Sequence, residues 1–328
     1  MNILVIFTGG TIGSSVSGTT ISTNKNNTYL LLDMFKKATN KNINFETAEP
    51  YYALSENNTG KNFEMLISYV SDALGKNYDG IIITHGTDTL QYTSAALSFA
   101  FGSNTIPIMI VSSNYVLTDE RANGLQNFIS AVDFIENKCG NGVFVSYQNT
   151  NDKPYIHRAS RLLAHAEFSD DVYSINNQYY GYFNGTNFVK NENYNAKEDE
   201  ITPFNKTAFT AHSEKIEVIN SYVGLKYPKV DDNWKAVIIK AYHSGTLCTD
   251  DESFCKFAEE LKEKNIPCYI SGAKIGTVYE SATVFDKYNL KILPFASTIS
   301  QYIKIWFALQ NNIDFNKIIN LSLGEDIL

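Results

Sequence analysis

Residues 78–89 read Tyr-Asp-Gly-Ile-Ile-Ile-Thr-His-Gly-Thr-Asp-Thr, an apolar run that leads directly into hydroxyl groups, a histidine and a carboxylate. Residues 3–13, Ile-Leu-Val-Ile-Phe-Thr-Gly-Gly-Thr-Ile-Gly, show the same order of an apolar run and a polar loop. Such runs are typical of strands buried on both faces of a parallel sheet, and ligands bind beyond the carboxyl ends of those strands. We therefore expect these two strand-to-loop junctions to face each other and to form one site.

The segments around these junctions alternate between strand, polar loop and helix. Further strands are predicted at 106–111 and 142–147, and the helices between strands carry apolar residues at helical spacing. This alternation predicts an α/β fold whose N-terminal domain, residues 1–190, is a doubly wound, mainly parallel sheet.

The second half of the chain predicts a smaller α/β domain. The polar, Asn- and Glu-rich stretch 191–212 is expected to be a linker, and residues 213–328 to form the C-terminal domain. Within this domain the pattern predicts a helix over 278–288.

Composition restricts the class of protein. The chain has 328 residues and a net charge of −8, which argues against a nucleic-acid or anionic-membrane surface. The four cysteines show no CxxC spacing and no His partner pattern, so we expect free thiols and no zinc site. No apolar run approaches membrane-spanning length and the first strand begins directly at the N-terminus, so a cytoplasmic location is expected.

The glycines at the first junction do not indicate a nucleotide site. Thr8 stands where a GxGxxG motif requires its first glycine, and no Gly-Lys-Ser/Thr sequence is present. Hydroxyl chemistry remains, because an activated threonine is a nucleophile and a neighbouring carboxylate can orient a ligand or accept protons. Structural alternatives exist for each residue alone, since Thr11 could be a turn residue and Asp88 a helix cap. For His85 a structural role is favoured over that of a base.

Segments 8–13 (Thr-Gly-Gly-Thr-Ile-Gly) and 84–89 (Thr-His-Gly-Thr-Asp-Thr) resemble the two signature segments of the bacterial-type L-asparaginase (asparaginase/glutaminase) family in sequence, order and separation. Segment 113–132 is similar to a third family segment, with Arg121, Gly124 and Asn127 placed as in the cytoplasmic, type I-like branch. The similarity covers most of residues 1–175.

The resemblance implies hydrolysis of an amino-acid amide, with L-asparagine as the main substrate and glutamine or another small amide as a secondary one. It implies that Thr11 is the nucleophile, that Thr87 lies at the carbonyl oxygen or the deacylating water, and that Asp88 holds the ligand's α-amino group. It also implies a homodimer or homotetramer with the active site at a dimer interface, without metal or cofactor.

The further contacts with substrate implied by the resemblance come from five residues. They are Ser55, Glu56, Gly10, Gly86 and Ser113.

The sequence departs from the family pattern at two catalytic positions. The family lysine that accompanies Thr87 and Asp88 aligns with Ala164, and the neighbouring His165 is expected to point elsewhere because adjacent residues of an extended segment alternate faces. The family tyrosine of the flap aligns with Thr20. In the third segment Asn114 replaces an expected glutamine.

Three hypotheses follow. The first is an L-asparagine-hydrolysing enzyme, and the second is a weak or inactive relative that binds an amino acid, because the lysine is absent. The third is the amidase component of a tRNA-dependent amidotransferase, which is disfavoured because no extra domain precedes the first strand and the net charge is acidic.

Overall fold

The structure, a computed structural model, describes residues 1–17, 20–23, 29–197, 215–274, 276 and 279–328. The chain divides into two compact units, Met1–Thr210 with Ser322–Glu325 and Ala211–Leu321 with Asp326–Leu328. We call these units 1 and 2. Residues 198–212 of the expected linker lie outside the described residues, and the domain limits drawn from the sequence stay a prediction.

Unit 1 is built on a large sheet flanked by helices. Its strands are β1 (Asn2–Phe7), β2 (Ser14–Ser17), β3 (Thr20–Thr23), β4 (Asn44–Ala48), β5 (Gly80–Thr84), β6 (Pro107–Val111), β7 (Gly142–Gln148), β8 (Pro154–Arg158), β9 (Gly181–Asn184) and β10 (Asn187–Lys190). Its helices are α1 (Leu30–Ala38), α2 (Gly60–Ala73), α3 (Leu90–Phe101) and α4 (Gly124–Glu136).

In the described part of unit 1 the sheet order is β10-β9-β8-β7-β6-β5-β1-β4. In this order, neighbouring strands from β4 through β1, β5 and β6 to β7 are parallel. Neighbouring strands from β7 through β8 and β9 to β10 are antiparallel. β2 and β3 form a separate antiparallel pair.

One face of the large sheet is covered by α1 and α4. Helix α1 buries Leu31, Leu32 and Phe35 on a single side, as its helical spacing of apolar residues requires. Phe35 packs edge-to-face against Phe128 of α4, with ring centroids 5.4 Å apart. Strands β5 and β6 are buried throughout, which fixes the site-bearing strand β5 in the interior of the sheet.

A C-terminal segment, Ser322–Glu325, packs into unit 1. The Ser160 hydroxyl donates to the Gly324 carbonyl oxygen at 2.5 Å, and Arg161 Nε donates to the Glu325 carbonyl oxygen at 2.6 Å. In each pair the two residues are 164 positions apart in the sequence. These hydrogen bonds therefore tie a distant part of the chain to unit 1 and stabilise it.

Unit 2 has a parallel sheet in the order β11 (Ile216–Asn220), β12 (Ala236–Lys240), β13 (Cys268–Ser271) and β14 (Leu290–Ile292). Its helices are α5 (Glu252–Glu263), α6 (Thr298–Gln310) and α7 (Phe315–Ile318). The prediction of an α-helix over 278–288 is wrong. The described part of this range forms a 3-10 helix over Glu280–Phe285. The adjacent β-branched residues Thr283 and Val284 disfavour a regular α-helix there.

The predicted fold class is confirmed: a mainly parallel, doubly wound sheet in unit 1 and a smaller α/β unit 2. Among the described residues, every helix is too short or too polar to cross a bilayer.

Candidate active site

The two strand-to-loop junctions lie side by side because β1 and β5 are neighbouring parallel strands. Their last residues, Phe7 and Thr84, are partners in the sheet register. Directly beyond them, the Thr8 hydroxyl donates a hydrogen bond to the Thr84 carbonyl oxygen at 2.7 Å. The common direction of the strands therefore brings both polar loops to the same edge of the sheet.

Two glycines allow these loops to touch. A Cβ added to Gly10 would lie 2.4 Å from the Gly86 Cα, and Gly10 has φ +75° and ψ −176°, a region essentially confined to glycine. A Cβ on Gly86 would lie 2.4 Å from the Ser55 Oγ. The Gly10 N–H already donates to the Ala53 carbonyl oxygen at 3.0 Å, so the role of Gly10 at this site is to permit close approach.

A third loop, starting at Ala53, forms one side of the site. The Ala53 N–H donates to the Thr8 carbonyl oxygen at 3.0 Å and so aligns this loop with the end of β1. The buried Ser55 consequently has its Oγ 3.5 Å from Asp88 Oδ2. The Thr89 hydroxyl donates to the Ser55 carbonyl oxygen at 2.9 Å and holds the two loops together.

His85 is a structural residue of the second junction. Its Nδ1 lies 2.7 Å from the Gly86 carbonyl oxygen, and its Nε2 lies 2.8 Å from Thr93 Oγ1 and 3.1 Å from Asn58 Nδ2. Burial lowers the pKa of His85 to about 4, against the opposing effects of the Gly86 hydrogen bond and the Asp88 charge. The imidazole is therefore neutral near pH 7 and has both nitrogens engaged.

The residues with the reactive groups keep contact with solvent. Thr11 and Thr87 are half-buried, whereas Asp88 and Glu56 are exposed. Thr11 begins a 3-10 helix immediately after Gly10, so its position follows from the glycine contact. Within the described residues, no group of three or more His, Cys, Asp or Glu side chains is arranged to hold a metal ion.

Ser113 is not brought to the open side of the site. Its side chain is fully buried, and its hydroxyl donates to the Tyr115 carbonyl oxygen at 2.5 Å. A Cβ on Gly124 would lie 2.7 Å from the Ser113 Oγ, which explains the glycine that follows this loop. The Ser113 hydroxyl therefore shapes its own loop, and the substrate contact inferred for Ser113 stays a prediction.

Asn127 of the third segment and the nearby Ser112 and Gln148 make structural contacts that sequence reasoning missed. The Ser112 hydroxyl donates to the His85 carbonyl oxygen at 2.8 Å, and Asn127 Nδ2 donates to the Ser112 carbonyl oxygen at 2.9 Å. The Gln148 N–H donates to Asn127 Oδ1 at 2.7 Å. These bonds fix the ends of β5, β6 and β7 relative to one another. The only signal for Ser112 in the sequence was its place directly after a buried strand.

No lysine occupies the position that the family pattern assigns to one. Ala164 is there, and it is exposed. The basic residue nearest before it in sequence, Arg161, is fully buried and donates to the carbonyl oxygens of Glu325 and Asn195 at 2.6 and 2.7 Å. Arg161 is therefore a structural residue of unit 1.

The expected flap position is only partly described. Thr20 begins β3, and its side chain lies outside the described residues. Tyr29, the first tyrosine after Thr20 in the sequence, immediately precedes α1 and is 58% exposed.

His165 points away from the side of Ala164, as expected for an extended segment, since Ala164 is exposed whereas His165 is half-buried against Tyr147. Its Nε2 lies 3.3 Å from the Tyr147 hydroxyl, and the two rings meet edge-on with centroids 5.5 Å apart. Burial lowers the pKa of His165, and the charges of Asp170, Asp88 and Asp171 oppose that shift. The imidazole therefore lies within the electrostatic field of Asp88.

Comparison with known proteins places these features in context. The family model named asparaginase, N-terminal, matches residues 2–195, which contain both junctions and the loops around them. The L-asparaginase structure from Thermococcus kodakarensis is similar over 100% of this chain and 99% of its own, with a TM-score of 0.77 and 20% identity. L-asparaginase I from Vibrio cholerae covers the same shares at a TM-score of 0.77 and 21% identity.

A curated relative has a different described role. This relative, a component of the glutamyl-tRNA(Gln) amidotransferase of Methanosphaera stadtmanae, is 25% identical over 266 residues, which is 76% of this chain and 58% of the relative. The chain spans about half of the length of such curated relatives.

Proposed function

The chain belongs to the asparaginase family, and from this premise we propose that it hydrolyses the side-chain amide of L-asparagine to L-aspartate and ammonia. The observation that carries the proposal is the contact between the Gly10 and Gly86 backbones, which joins the two junctions at one edge of the sheet. That contact holds Thr11 beside the loop of Thr87 and Asp88, all three in contact with solvent.

The proposed reaction has two steps. The Thr11 hydroxyl attacks the amide carbon, its proton passes to the departing nitrogen, and ammonia leaves an aspartyl ester on Thr11. Water positioned beside Thr87 then attacks the ester, and the Thr11 oxygen recovers a proton as aspartate forms. Splitting a difficult hydrolysis into two easier displacements is the general advantage of covalent catalysis.

The substrate contacts follow from the placement of charge and hydroxyl groups. The Asp88 carboxylate would accept hydrogen bonds from the ligand's α-ammonium group, and Ser55 lies close enough to Asp88 to share that ligand. Glu56 is exposed on the same loop and would reach the same end of the substrate. Gly10 and Gly86 would contribute by joining the two loops that hold the ligand.

A second candidate function is binding without turnover. The observation in its favour is the exposed Ala164 at the position of the family lysine. In that case the Asp88 side of the site would bind aspartate or asparagine, while the hydroxyls would stay unreactive.

We also propose a homodimer or homotetramer. Asp88 is exposed in the single chain. A second copy of the chain would exclude water from this site and so strengthen the interaction of Asp88 with a charged substrate. Sedimentation velocity tests this, because a monomer at assay concentration would contradict it. The cytoplasmic location stays a prediction from the sequence.

Ammonia release from asparagine, glutamine and other small amides tests the proposed activity. We expect turnover of asparagine by the wild type, and loss of turnover in Thr11→Ala and Thr87→Ala. Thr186→Ala is the matched control, because Thr186 is exposed in the turn between β9 and β10. No ammonia from any amide, together with a melting temperature raised by aspartate, would favour the binding function.

A further inference from the structure

The turn that carries Thr11 is too short to hold itself in place. It is a 3-10 helix of three residues, Thr11–Gly13. The Gly13 N–H donates to the Gly10 carbonyl oxygen at 3.0 Å, and the Ser14 N–H donates to the Thr11 carbonyl oxygen. Hydrogen-bond geometry in a 3-10 helix is poor, and a single turn of helix is not stable by itself. The position of Thr11 therefore depends on contacts at the two ends of the turn.

The first end of this turn, at Gly10, is fixed by the loops around it. The Gly10 N–H donates to the Ala53 carbonyl oxygen at 3.0 Å, and the Ser14 hydroxyl donates to the Gly10 carbonyl oxygen at 2.7 Å. The Gly10 backbone also lies against Gly86. These contacts fix the start of the turn but do not reach the Gly13 carbonyl group at its end.

Tyr52 holds the second end of the turn. Its hydroxyl donates a hydrogen bond to the Gly13 carbonyl oxygen. Gly13 is buried, and loss of the donor to a buried carbonyl oxygen is destabilising. A Cβ added to Gly13 would lie 2.5 Å from the Tyr52 hydroxyl oxygen, so the glycine leaves the room that this contact needs.

The segment around Tyr52 is itself tied to the end of β1. Ala53, the next residue, forms a parallel bridge with Gly9. The Ala53 N–H donates to the Thr8 carbonyl oxygen at 3.0 Å, and the Ala53 carbonyl oxygen accepts from the Gly10 N–H. Tyr52 is half-buried beside this bridge. Its side chain therefore connects the loop after β4 to the end of the turn at a fixed place.

We propose that Tyr52 is a positioning residue for the nucleophile: by holding the Gly13 carbonyl group, its hydroxyl keeps Thr11 where the threonine can attack the amide carbon. This inference rests on the proposed amide hydrolysis. Tyr52 lies outside the segments 8–13 and 84–89 that carry the family resemblance, and it acts through Gly13 without touching the substrate.

The rest of the proposed substrate site is held by bonds that do not involve Tyr52. The Thr89 hydroxyl donates to the Ser55 carbonyl oxygen at 2.9 Å, and Ser55 Oγ lies 3.5 Å from Asp88 Oδ2. The residues that would bind the α-amino end of the substrate thus keep their places when the Tyr52 hydroxyl is removed. A nucleophile displaced by about 1 Å, in contrast, can slow a reaction by about 100-fold. Loss of this hydroxyl should therefore lower kcat and leave KM nearly unchanged.

Steady-state ammonia release from asparagine by Tyr52→Phe is the first test. We expect kcat to fall by about 10- to 100-fold with KM nearly unchanged, because the ring stays and only the hydroxyl is lost. Tyr147→Phe is the matched control, since the Tyr147 hydroxyl also donates to a backbone carbonyl oxygen, that of Asp170, at 2.7 Å. The control should lose a similar hydrogen bond and keep the wild-type kcat. Equal losses of kcat in the two variants would contradict a positioning role for Tyr52.

A double-variant cycle tests the contact from its other side. Gly13→Ala should lower kcat as well, because its methyl group would displace the Tyr52 hydroxyl. In the Tyr52→Phe, Gly13→Ala double variant the same contact is lost only once, so the loss in kcat should be smaller than the product of the two single losses. Losses that multiply would mean that the two residues act independently, and they would overturn the inference.

Hydrogen exchange provides a measurement that does not depend on turnover. The N–H groups of Gly13 and Ser14 should exchange faster with solvent in Tyr52→Phe than in the wild type or in Tyr147→Phe, because the end of the turn is no longer held. Unchanged exchange, or an unchanged kcat in Tyr52→Phe, would overturn the inference alone. A wild type that releases no ammonia from any amide would instead overturn the proposed function, whatever the exchange rates.

Discussion

The backbones of Gly10 and Gly86 lie in direct contact, so close that a methyl group on Gly10 would sit 2.4 Å from the Gly86 Cα. This contact links the loop after β1 to the loop after β5. It brings the two hydroxyl-bearing loops together at one edge of the sheet.

Gly10→Ala should destabilise the protein and abolish ammonia release. Its backbone lies at φ +75°, where a side chain is strained, and overpacking of this kind costs about 1–3 kcal/mol. Gly185→Ala is the matched control, since Gly185 has φ +61° but no atom within 4 Å of an added Cβ. Urea unfolding and ammonia release check both variants, and equal losses in the two would contradict the role of the contact.

The stability of the fold should fall as the pH is lowered from about 6.5 towards 4. Burial lowers the pKa of His85 and of His157 to about 4, whereas an unfolded histidine titrates near 6.5. Above about pH 6.5 both histidines are neutral in the folded and the unfolded chain, so the free energy of unfolding has its full value. Below that pH only the unfolded chain binds the proton. Each histidine should therefore lower the free energy of unfolding by about 1.4 kcal/mol per pH unit. Urea unfolding from pH 7.5 to 4.5 measures this, and His157→Gln should show a smaller slope than the wild type. Identical slopes would refute the assignment.

Arg161→Lys should destabilise unit 1 by about 2–3 kcal/mol. The guanidinium is fully buried and donates to the Glu325 and Asn195 carbonyl oxygens, and a lysine cannot reproduce this fork of donors. Arg121→Lys is the control, because the Arg121 side chain is 66% exposed and pairs with Asp119 on the surface. Thermal unfolding should separate the two variants, and a lowered midpoint in Arg121→Lys alone would be inconsistent with this account.

Asp88→Asn should remove the preference for an α-amino group in the substrate. A charge-assisted hydrogen bond contributes about 1.5–3 kcal/mol, which corresponds to about 10- to 150-fold in kcat/KM. The wild type should favour asparagine over succinamic acid, which lacks that amino group, and the variant should treat them alike. Asp72→Asn, an exposed carboxylate at the end of α2, should keep the preference. Retained preference in Asp88→Asn would place the amino-group contact elsewhere.

Local patterns in the sequence were sufficient for the fold class and for the meeting of the two strand-to-loop junctions at one edge of the sheet. Ile81, Ile82 and Ile83 form a buried strand that ends in a polar loop, and both features depend on neighbours in sequence. The contact partners of Ser113 and His165 were not predictable in the same way. Ser113 bonds the Tyr115 carbonyl group and His165 contacts Tyr147, and no local pattern indicates either partner.

The C-terminal segment is a second example of what lies outside local patterns. The partners of Ser160 and Arg161 are 164 residues away, so no spacing in the sequence indicates that these buried polar groups are satisfied. Family resemblance identified the hydroxyl-bearing residues and the position of the missing lysine. The contact between Tyr147 and His165 is found only in the folded structure.

Mass spectrometry of the acid-quenched Thr87→Ala variant with asparagine tests directly whether Thr11 carries the acyl group. We expect a mass increase of one aspartyl group on the peptide that contains Thr11, and none in the Thr11→Ala, Thr87→Ala double variant. The adduct on any other residue, or ammonia release by Thr11→Ala at the wild-type rate, would contradict it.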